Sequence, residues 1–396
     1  MSCLRIAIIG AGPAGLLLAR ILVNNSIVPD VFEHEPSADY RPQGGTLDLH
    51  EQSGQYALRE ANLWQEFLKY ARYDSQEAKF LDKYGNLIFY DRGTSEGEKG
   101  TKPEIDRTQL RNLLLQSVDP GVVRWGFTLS TVEPNPNKTY DLHFKNGHIE
   151  RGYDLVVGAD GTWSRVRPLV TPVVPFYSGL CFIQMEIPRT EGHEYDSVNA
   201  LVGRGSAFAF ATAQGLIAQR SSDDSIRIYA SFYSTTESHT WAERFIEGPA
   251  EQARAKVIEN FQGWAPIFLE VLQATEGPLV PRPLYMFPVD HKWDARPGVT
   301  LVGDAGHVMT PLAGEGVNMA MLDAAELAKA IIAGVKGGNL DEKVRESELE
   351  LFKRAEDSAR RTERNLRLSM ISDDLRENMK EVAREHEQAT GRSFWA

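Results

Sequence analysis

The residues that most directly suggest chemistry in this 396-residue chain are the glycines of Gly10-Ala11-Gly12-Pro13-Ala14-Gly15. They follow a short apolar run that predicts a buried strand, and an apolar helical segment comes next. Gly10 permits the tight turn, Gly12 lets a pyrophosphate approach the backbone, and Gly15 lets the helix pack closely on the strand. Glu33 ends the next apolar run, where an acid hydrogen-bonds ribose hydroxyls and repels a 2′-phosphate. This unit predicts a site for FAD or NAD rather than NADP, the alternative being a purely structural turn.

Two later segments repeat the strand-to-turn pattern. Val299 to Val302 predicts a buried strand that runs into Gly303-Asp304-Ala305, and Pro311, Gly314, Gly316 and Asn318 precede an apolar helix. Between the glycine-rich turns, the run before Gly158-Ala159-Asp160-Gly161 predicts another strand. No acid ends a second strand-helix-strand unit, so these segments indicate further edges around the same ligand.

Together the segments GAGPAG, GADGTWSRVR and GDAGHVMTPLAGEGVN resemble the three fingerprints of the class A flavoprotein monooxygenases, the para-hydroxybenzoate hydroxylase family. The resemblance implies a Rossmann-like α/β domain that binds one FAD, with an inserted antiparallel-sheet substrate domain and a long C-terminal helix. It implies that the first turn holds the pyrophosphate and adenosine, and that Asp304 lies on the ribityl and pyrophosphate side. Gly314, Gly316 and Asn318 are then expected at the flavin ring, and Ala14, Asp160 and Pro311 complete the implied cofactor-binding set.

Within that family, the segments GGTLDLH and PLAGEGVN resemble the tetracycline-inactivating flavin monooxygenases. The resemblance implies that Arg41 and Asp48 lie near the flavin, with Arg41 in contact with the nicotinamide cofactor. The segment EIDRTQLR matches a helix that holds FAD. Of its two arginines, Arg111 is the expected FAD contact and Arg107 is expected to be more structural, the alternative for both being a solvated helix face.

The substrate half resembles those enzymes less. Gln184 matches a glutamine that reaches the substrate, whereas Arg204 and Arg227 are offered as substrate contacts with an alignment that is ambiguous by one or two residues. A tetracycline-like polycycle, a smaller phenol and a polyketide therefore all stay open as substrates.

The resemblance implies a monooxygenase that takes NADPH or NADH as a transient reductant and O2 as co-substrate, and hydroxylates through a flavin C4a-hydroperoxide. A non-hydroxylating FAD-dependent reductase or dehydrogenase is the alternative, and a non-catalytic flavin-bound protein is a third. His50 and His307 are expected to be structural.

The predicted FAD-binding domain is discontinuous, with residues 1–72, 104–172 and 276–340. Residues 73–103 and 173–275 are predicted to form the substrate-binding domain, and residues 341–396 an amphipathic helix that bridges the two.

Composition narrows the classes of partner. A formal charge of −12 argues against a nucleic-acid ligand. Cys3 and Cys181 are expected to be reduced, no metal-ligand spacing occurs in the sequence, and no apolar run reaches the roughly 18 residues of a membrane span. A cytoplasmic monomer is the expectation.

Overall fold

The computed structural model describes residues 4–40, 44–93 and 101–372, together with 374, 377–378, 380–381 and 384. The strands are β1 Ile6–Ile9, β2 Asp30–Glu33, β3 Thr46–Asp48, β4 Ala78–Asp82, β5 Leu87–Asp91, β6 Glu104–Asp106, β7 Val123–Trp125, β8 Leu129–Pro134, β9 Tyr140–Phe144, β10 Ile149–Tyr153, β11 Leu155–Gly158, β12 Phe176–Ile187, β13 Ser206–Ala211, β14 Gln214–Arg220, β15 Ile226–Tyr233, β16 Glu276–Met286 and β17 Val299–Leu301. The α-helices are α1 Pro13–Asn24, α2 Tyr56–Glu60, α3 Trp64–Phe67, α4 Arg107–Gln116, α5 Asp196–Val202, α6 Trp241–Phe245, α7 Ala250–Asn260, α8 Pro266–Gln273, α9 Asp304–His307, α10 Gly316–Val335 and α11 Leu340–Leu366.

A five-stranded parallel sheet in the order β17-β11-β1-β2-β7 carries the glycine-rich turns. Every residue of β1 is buried, as its unbroken apolar run predicts for a strand covered on both faces. Helices α1 and α10 pack on one face of this sheet in the same apolar cluster. The strands β17, β11 and β1 are neighbours and run parallel. The segments that follow them therefore all leave the sheet at the carboxyl ends of the strands.

A seven-stranded sheet in the order β16-β12-β15-β14-β13-β4-β5 forms the second half of the fold. Its strands are antiparallel except where β13 pairs with β4. One face packs against helices α5 to α8 in a large apolar cluster. The other face carries aromatic side chains, and the end of α11 covers part of it.

Strand β16 corrects one predicted boundary. Residues 276–286 were assigned to the FAD-binding part, but this segment pairs with β12 in the seven-stranded sheet. Its three prolines, Pro278, Pro281 and Pro283, obscure the strand pattern in the sequence. They are tolerated because β16 is an edge strand, which has a partner on one side only. The division of the whole chain into domains stays a prediction.

The predicted bridging helix is confirmed over its first part as α11, which begins at Leu340, one residue before the predicted start. Asn339 caps it by accepting a hydrogen bond from the Glu342 backbone N–H. A π-helical turn, Arg367–Ile371, follows, and most of the predicted helix beyond it lies outside the described residues. Among the described residues, no helix is both long and apolar enough to cross a membrane.

Candidate active site

The three glycine-rich segments meet at the carboxyl ends of the parallel strands. At Gly10 and Gly303 the neighbouring chain lies so close that a side chain would not fit without a shift. A Cβ on Gly10 would lie 2.3 Å from the carbonyl oxygen of Ala159, in the middle segment. A Cβ on Gly303 would lie 3.0 Å from the Ala320 side chain and 3.8 Å from that of Ala14. The first turn therefore contacts both later segments, as the resemblance implied.

Other glycines of the same segments border open space. A Cβ on Gly12, Gly314 or Gly316 would meet no protein atom within 4 Å. Gly12 is also the N-cap of α1 and supplies no side-chain cap, and Pro13 occupies the first helical position. The remaining N–H groups of the first turn can thus serve an anion, and the positive end of the helix dipole favours one. These backbones form the kind of cradle that an FAD pyrophosphate and a flavin ring require.

Asp160 supplies a second indication of a ligand. Its Oδ2 accepts a hydrogen bond from the Arg165 backbone N–H at 2.7 Å, while its buried Oδ1 has no hydrogen-bond partner among the residues that the structure describes. Burial raises the pKa of this carboxyl, with the hydrogen bonds from Ser164 and Arg165 opposing. Because buried polar atoms are almost always paired, Oδ1 is a ready acceptor for a hydroxyl of a bound cofactor.

The middle segment is tied to the last one by Arg167. Its Nη1 donates to the carbonyl oxygens of Thr162 at 3.0 Å and Ala305 at 3.2 Å. Asp304, one residue before Ala305, keeps a solvent-accessible side chain. The surrounding protein desolvates this carboxylate and raises its pKa, whereas the charges of His307 and Arg107 lower it.

Glu33, the last residue of β2, is hydrogen-bonded to the first glycine-rich turn. Its Oε2 accepts a hydrogen bond from the Ala11 backbone N–H at 2.7 Å, and its Oε1 accepts one from the Glu35 N–H at 3.0 Å. The carboxylate therefore lies at the glycine-rich turn, and its remaining lone pairs are available to a ribose.

Arg107 and Arg111 lie the other way round from the expectation. Arg111 is buried and forms an ion pair with Glu35 at 2.5 Å, which makes it the structural arginine. Arg107 is exposed at the start of α4, and its charge acts on Asp304. Because Arg107 is exposed and its charge reaches Asp304, it is the better candidate for contact with FAD.

Asn318 joins the last segment to the GGTLDLH segment. Its Nδ2 donates to the carbonyl oxygen of Asp48 at 2.8 Å, and its Oδ1 accepts from the backbone N–H groups of His50 at 2.8 Å and Gly54 at 3.2 Å. Because the side-chain amide already bonds to protein groups through both its nitrogen and its oxygen, contact of Asn318 with a flavin ring is expected mainly from its backbone. Asp48 accepts a hydrogen bond from His50 at 2.9 Å. Although burial opposes its charge, His50 holds the pKa of Asp48 below its ordinary value.

Glu104, opposite Asp48 in the β3–β6 ribbon, was not singled out by the sequence. Its carboxyl accepts a hydrogen bond from the Thr46 hydroxyl at 3.1 Å and lies 3.7 Å from the Arg72 guanidinium. Burial raises the pKa of Glu104 to about 8, with Arg72 opposing and the nearby Asp48 charge adding. A neutral carboxylic acid at neutral pH is the result.

Glu104→Gln is expected to change how the stability of the apoprotein depends on pH. A carboxyl whose pKa is higher in the folded state binds more protons there, so its contribution to stability is present at low pH and is lost as the pH rises toward the folded pKa of about 8. The stability of Glu104→Gln relative to the parent should therefore increase between about pH 5 and 8, by at most about 1.4 kcal/mol per pH unit. Urea unfolding across this range measures the difference. The exposed Glu66→Gln is the control, and parallel pH profiles for parent and Glu104→Gln would contradict the prediction.

The open face of the seven-stranded sheet is aromatic. Phe80 stacks between Phe89 and Phe208, with ring centroids 4.0 and 4.6 Å apart. Phe182 and Tyr229 continue the face on the neighbouring strands β12 and β15, at a centroid distance of 5.5 Å. Leu366 and Met370, from α11 and the π-helical turn, cover part of it.

Gln184 and Arg227 lie at the polar end of this face. Alternation along the strands puts Gln184 on the side of Phe182 and Arg227 on that of Tyr229. The Arg227 guanidinium forms an ion pair with Glu186 at 3.0 Å and packs on Gly44, whose Cβ would lie 2.9 Å from Nη2. Thus the polar end of the sheet touches the GGTLDLH segment.

The structure does not bring Arg204 into this group. Its side chain is exposed before β13 and lies 3.8 Å from Asp74. Arg41 lies outside the described residues, and so does Cys3, whereas Cys181 is buried as a free thiol.

Comparison with known proteins identifies the family. A family model described as an FAD binding domain matches residues 4–245 and 291–361. The chain belongs to the class A FAD-dependent monooxygenases. It therefore uses FAD and acts on small molecules.

Three known proteins show the range of similarity. Monooxygenase penA of Penicillium thymicola is 30% identical over 373 residues, which are 83% of this chain and 84% of penA. The structure of Klebsiella pneumoniae HpxO complexed with FAD and uric acid has a TM-score of 0.76 at 18% identity, covering 98% of this chain and 93% of HpxO. Tetracycline destructase Tet(51) has a TM-score of 0.71 at 18% identity, covering 98% of this chain and 97% of its own. At such identities the two structures share the fold alone, so the expected closeness to tetracycline-inactivating enzymes is supported only at the level of the family.

Proposed function

We propose that this monooxygenase hydroxylates an aromatic or polycyclic small molecule that lies on the aromatic face of the seven-stranded sheet, with NADPH or NADH as reductant. The observation that supports the proposal is that the aromatic face contacts the GGTLDLH segment, which we assign to the cofactor side. Arg227 packs on Gly44, and the Tyr229 hydroxyl lies 3.2 Å from the position of a Cβ on Gly45. A planar substrate held there has its edge toward the GGTLDLH segment.

The residues of the cofactor side bind and orient. Gly12 and the first turn of α1 would hold the pyrophosphate, Glu33 the ribose, and Asp160, Asp304 and Arg107 the remaining polar groups. The backbone from Gly314 to Asn318 would face the flavin ring at the positive end of α10. When bound, reduced FAD activates O2 and supplies one oxygen atom to the substrate. Arg41, three residues before Gly44, is the proposed contact for the nicotinamide cofactor.

The residues of the sheet orient the substrate and exclude water. Phe208 and Tyr229 offer rings for stacking, while Gln184 and Arg227 offer polar groups at one edge. Leu366 and Met370 cover part of the face, beside Leu312 of the last glycine-rich segment. This arrangement favours a planar, mostly apolar substrate with a hydrogen-bond acceptor at one edge, which suits a phenol, a polyketide or a tetracycline.

The experiment that tests the function is product analysis under ¹⁸O2. The holoenzyme is incubated with NADPH or NADH and with phenols, aromatic polyketides or a tetracycline, and products are examined by mass spectrometry. Gain of one ¹⁸O atom per reductant consumed supports hydroxylation. Reductant consumption with stoichiometric hydrogen peroxide and no labelled product across a broad aromatic panel would favour the non-hydroxylating reductase.

Arg227→Met is expected to raise KM for an accepted substrate about tenfold, because one charged hydrogen-bond donor at the edge of the face is lost. The effect on kcat should be smaller, since the flavin side is untouched. Steady-state kinetics on the labelled reaction measures both constants. Arg204→Met is the matched variant and should leave KM within twofold; the reverse pattern would move the substrate to the Arg204 edge of the sheet.

A further inference from the structure

A group of three polar side chains lies beneath the Gly303–Asp304 turn; two of them are buried and the third is partly exposed. His307 ends the short helix α9, Asp323 lies within α10, and Arg354 lies on α11. The His307 Nε2 is 2.5 Å from Asp323 Oδ2, and the Arg354 Nη2 donates to Asp323 Oδ1 at 3.1 Å. The Asp323 side chain is fully buried. Three elements distant in sequence thus meet at one carboxylate.

The same carboxylate holds the turn itself. Asp323 Oδ2 also accepts the Gly303 backbone N–H at 3.3 Å, and the His307 N–H donates to the Gly303 carbonyl oxygen at 3.0 Å. Asp323 therefore contacts both ends of the segment from Gly303 to His307. Asp304 is the first residue of α9, so its direction depends on these contacts.

The pKa shifts of Asp323 and His307 both favour an ion pair between them. Burial opposes the charge of Asp323, but His307 and Arg354 outweigh it and hold its pKa below the ordinary value. Burial likewise opposes the charge of His307, but Asp323, with Asp304 adding, holds its pKa above the ordinary value. Both shifts favour the charged forms, and the Asp323 carboxylate is hydrogen-bonded to both partners, which is the condition for burying charge without a large penalty.

We propose that Asp323 and Arg354 are positioning residues for FAD binding: through His307 and Gly303 they hold Asp304 toward the cofactor, which couples helix α11 to the cofactor site. The proposal rests on the assignment of Asp304 to FAD in the proposed function. Neither residue contacts the cleft, because one is buried beneath the turn and the other reaches it from α11.

The test is titration of the apoprotein with FAD, followed by flavin fluorescence, together with thermal unfolding of the apoprotein. Asp323→Asn and Arg354→Met are each expected to raise the Kd for FAD about tenfold, the loss expected when one charge-assisted hydrogen bond is misaligned. Arg354→Lys should restore much of the affinity. Because Arg354 is partly exposed, its variants are expected to fold and to give a Kd for FAD even if Asp323→Asn does not fold.

Glu348→Gln is the matched control. Glu348 is a buried carboxylate on the same helix α11, accepting hydrogen bonds from Trp293 at 3.0 Å and Thr300 at 2.9 Å, but it does not touch the Gly303–His307 segment. Its loss should lower the Tm of the apoprotein and leave the Kd for FAD unchanged.

Asp304→Asn distinguishes a failure of the positioning proposal from a failure of the assignment of Asp304 to FAD. If it weakens FAD while Asp323→Asn and Arg354→Met lower only the apoprotein Tm, as Glu348→Gln does, the positioning role is overturned and the cofactor assignment stands. If Asp304→Asn itself leaves the Kd unchanged, the assignment of Asp304 fails and the positioning proposal falls with it.

Discussion

Gly12→Asp is expected to yield a folded protein that purifies without FAD. Gly12 has an extended backbone, with φ −79° and ψ −178°, that any residue adopts, and an added Cβ meets no protein atom within 4 Å. Aspartate is also among the best N-cap residues, so α1 should be at least as stable as before. The carboxylate would instead meet the pyrophosphate, and we expect the Kd for FAD to rise at least about a hundredfold. The ratio of flavin to protein absorbance after purification, and titration of the apoprotein, measure the loss.

Gly12→Asn separates charge from bulk at this position. Asparagine is similar in size and caps a helix as well, but it carries no charge. Its loss of affinity should be clearly smaller than that of Gly12→Asp. A Gly12→Asp protein with the flavin absorbance of the parent would show that the pyrophosphate does not lie at this turn.

Gly15→Ala is expected to destabilise the apoprotein itself by about 3 kcal/mol or more. The new Cβ would lie 2.0 Å from the carbonyl oxygen of Gly10 and 3.3 Å from the Ile8 side chain. The closest of these contacts is with backbone, so no side-chain rotation relieves it and α1 must move away from β1. Denaturant unfolding of the apoprotein measures the effect, and FAD should be lost as well because the turn is displaced.

Gly12→Ala is the matched substitution in the same turn. It should leave the stability of the apoprotein within about 1 kcal/mol, because the added methyl group points into open space. The two alanine variants thus separate the glycine needed by the protein from the one needed by the ligand. Equal destabilisation by both would contradict the packing of α1 on β1.

The cofactor half could be predicted closely from the sequence. Strand, glycine turn and helix are adjacent along the chain, and the spacing of Gly10, Gly12 and Gly15 follows from local backbone geometry. The parallel sheet and the strands before each segment are confirmed. Which of Arg107 and Arg111 contacts FAD stays a prediction. Both lie on α4, and the sequence does not tell that Arg111 is the one paired with Glu35 in the interior.

The substrate half was less predictable. The prolines of β16 obscured an edge strand. Arg204 and Arg227 are of the same type, and their positions along the chain do not tell which of them lies beside Gln184. Their separation depends on strand register, which pairs Arg227 with Glu186 on the aromatic face and leaves Arg204 outside the strand. One residue of shift reverses the face of a side chain, and short alternating runs do not specify register.

Asp323 shows most clearly what could not be predicted from the sequence. An acid within the apolar helix NMAMLDAAELAKAI signals a buried partner, since aspartate is rarely buried unpaired. The sequence by itself determined the family, the cofactor and the three turns that surround it, because these depend on backbone geometry within a few residues. Only the tertiary structure decided which charges meet, because His307, Asp323 and Arg354 come from three helices, and the energy of burying each charge depends on the other two.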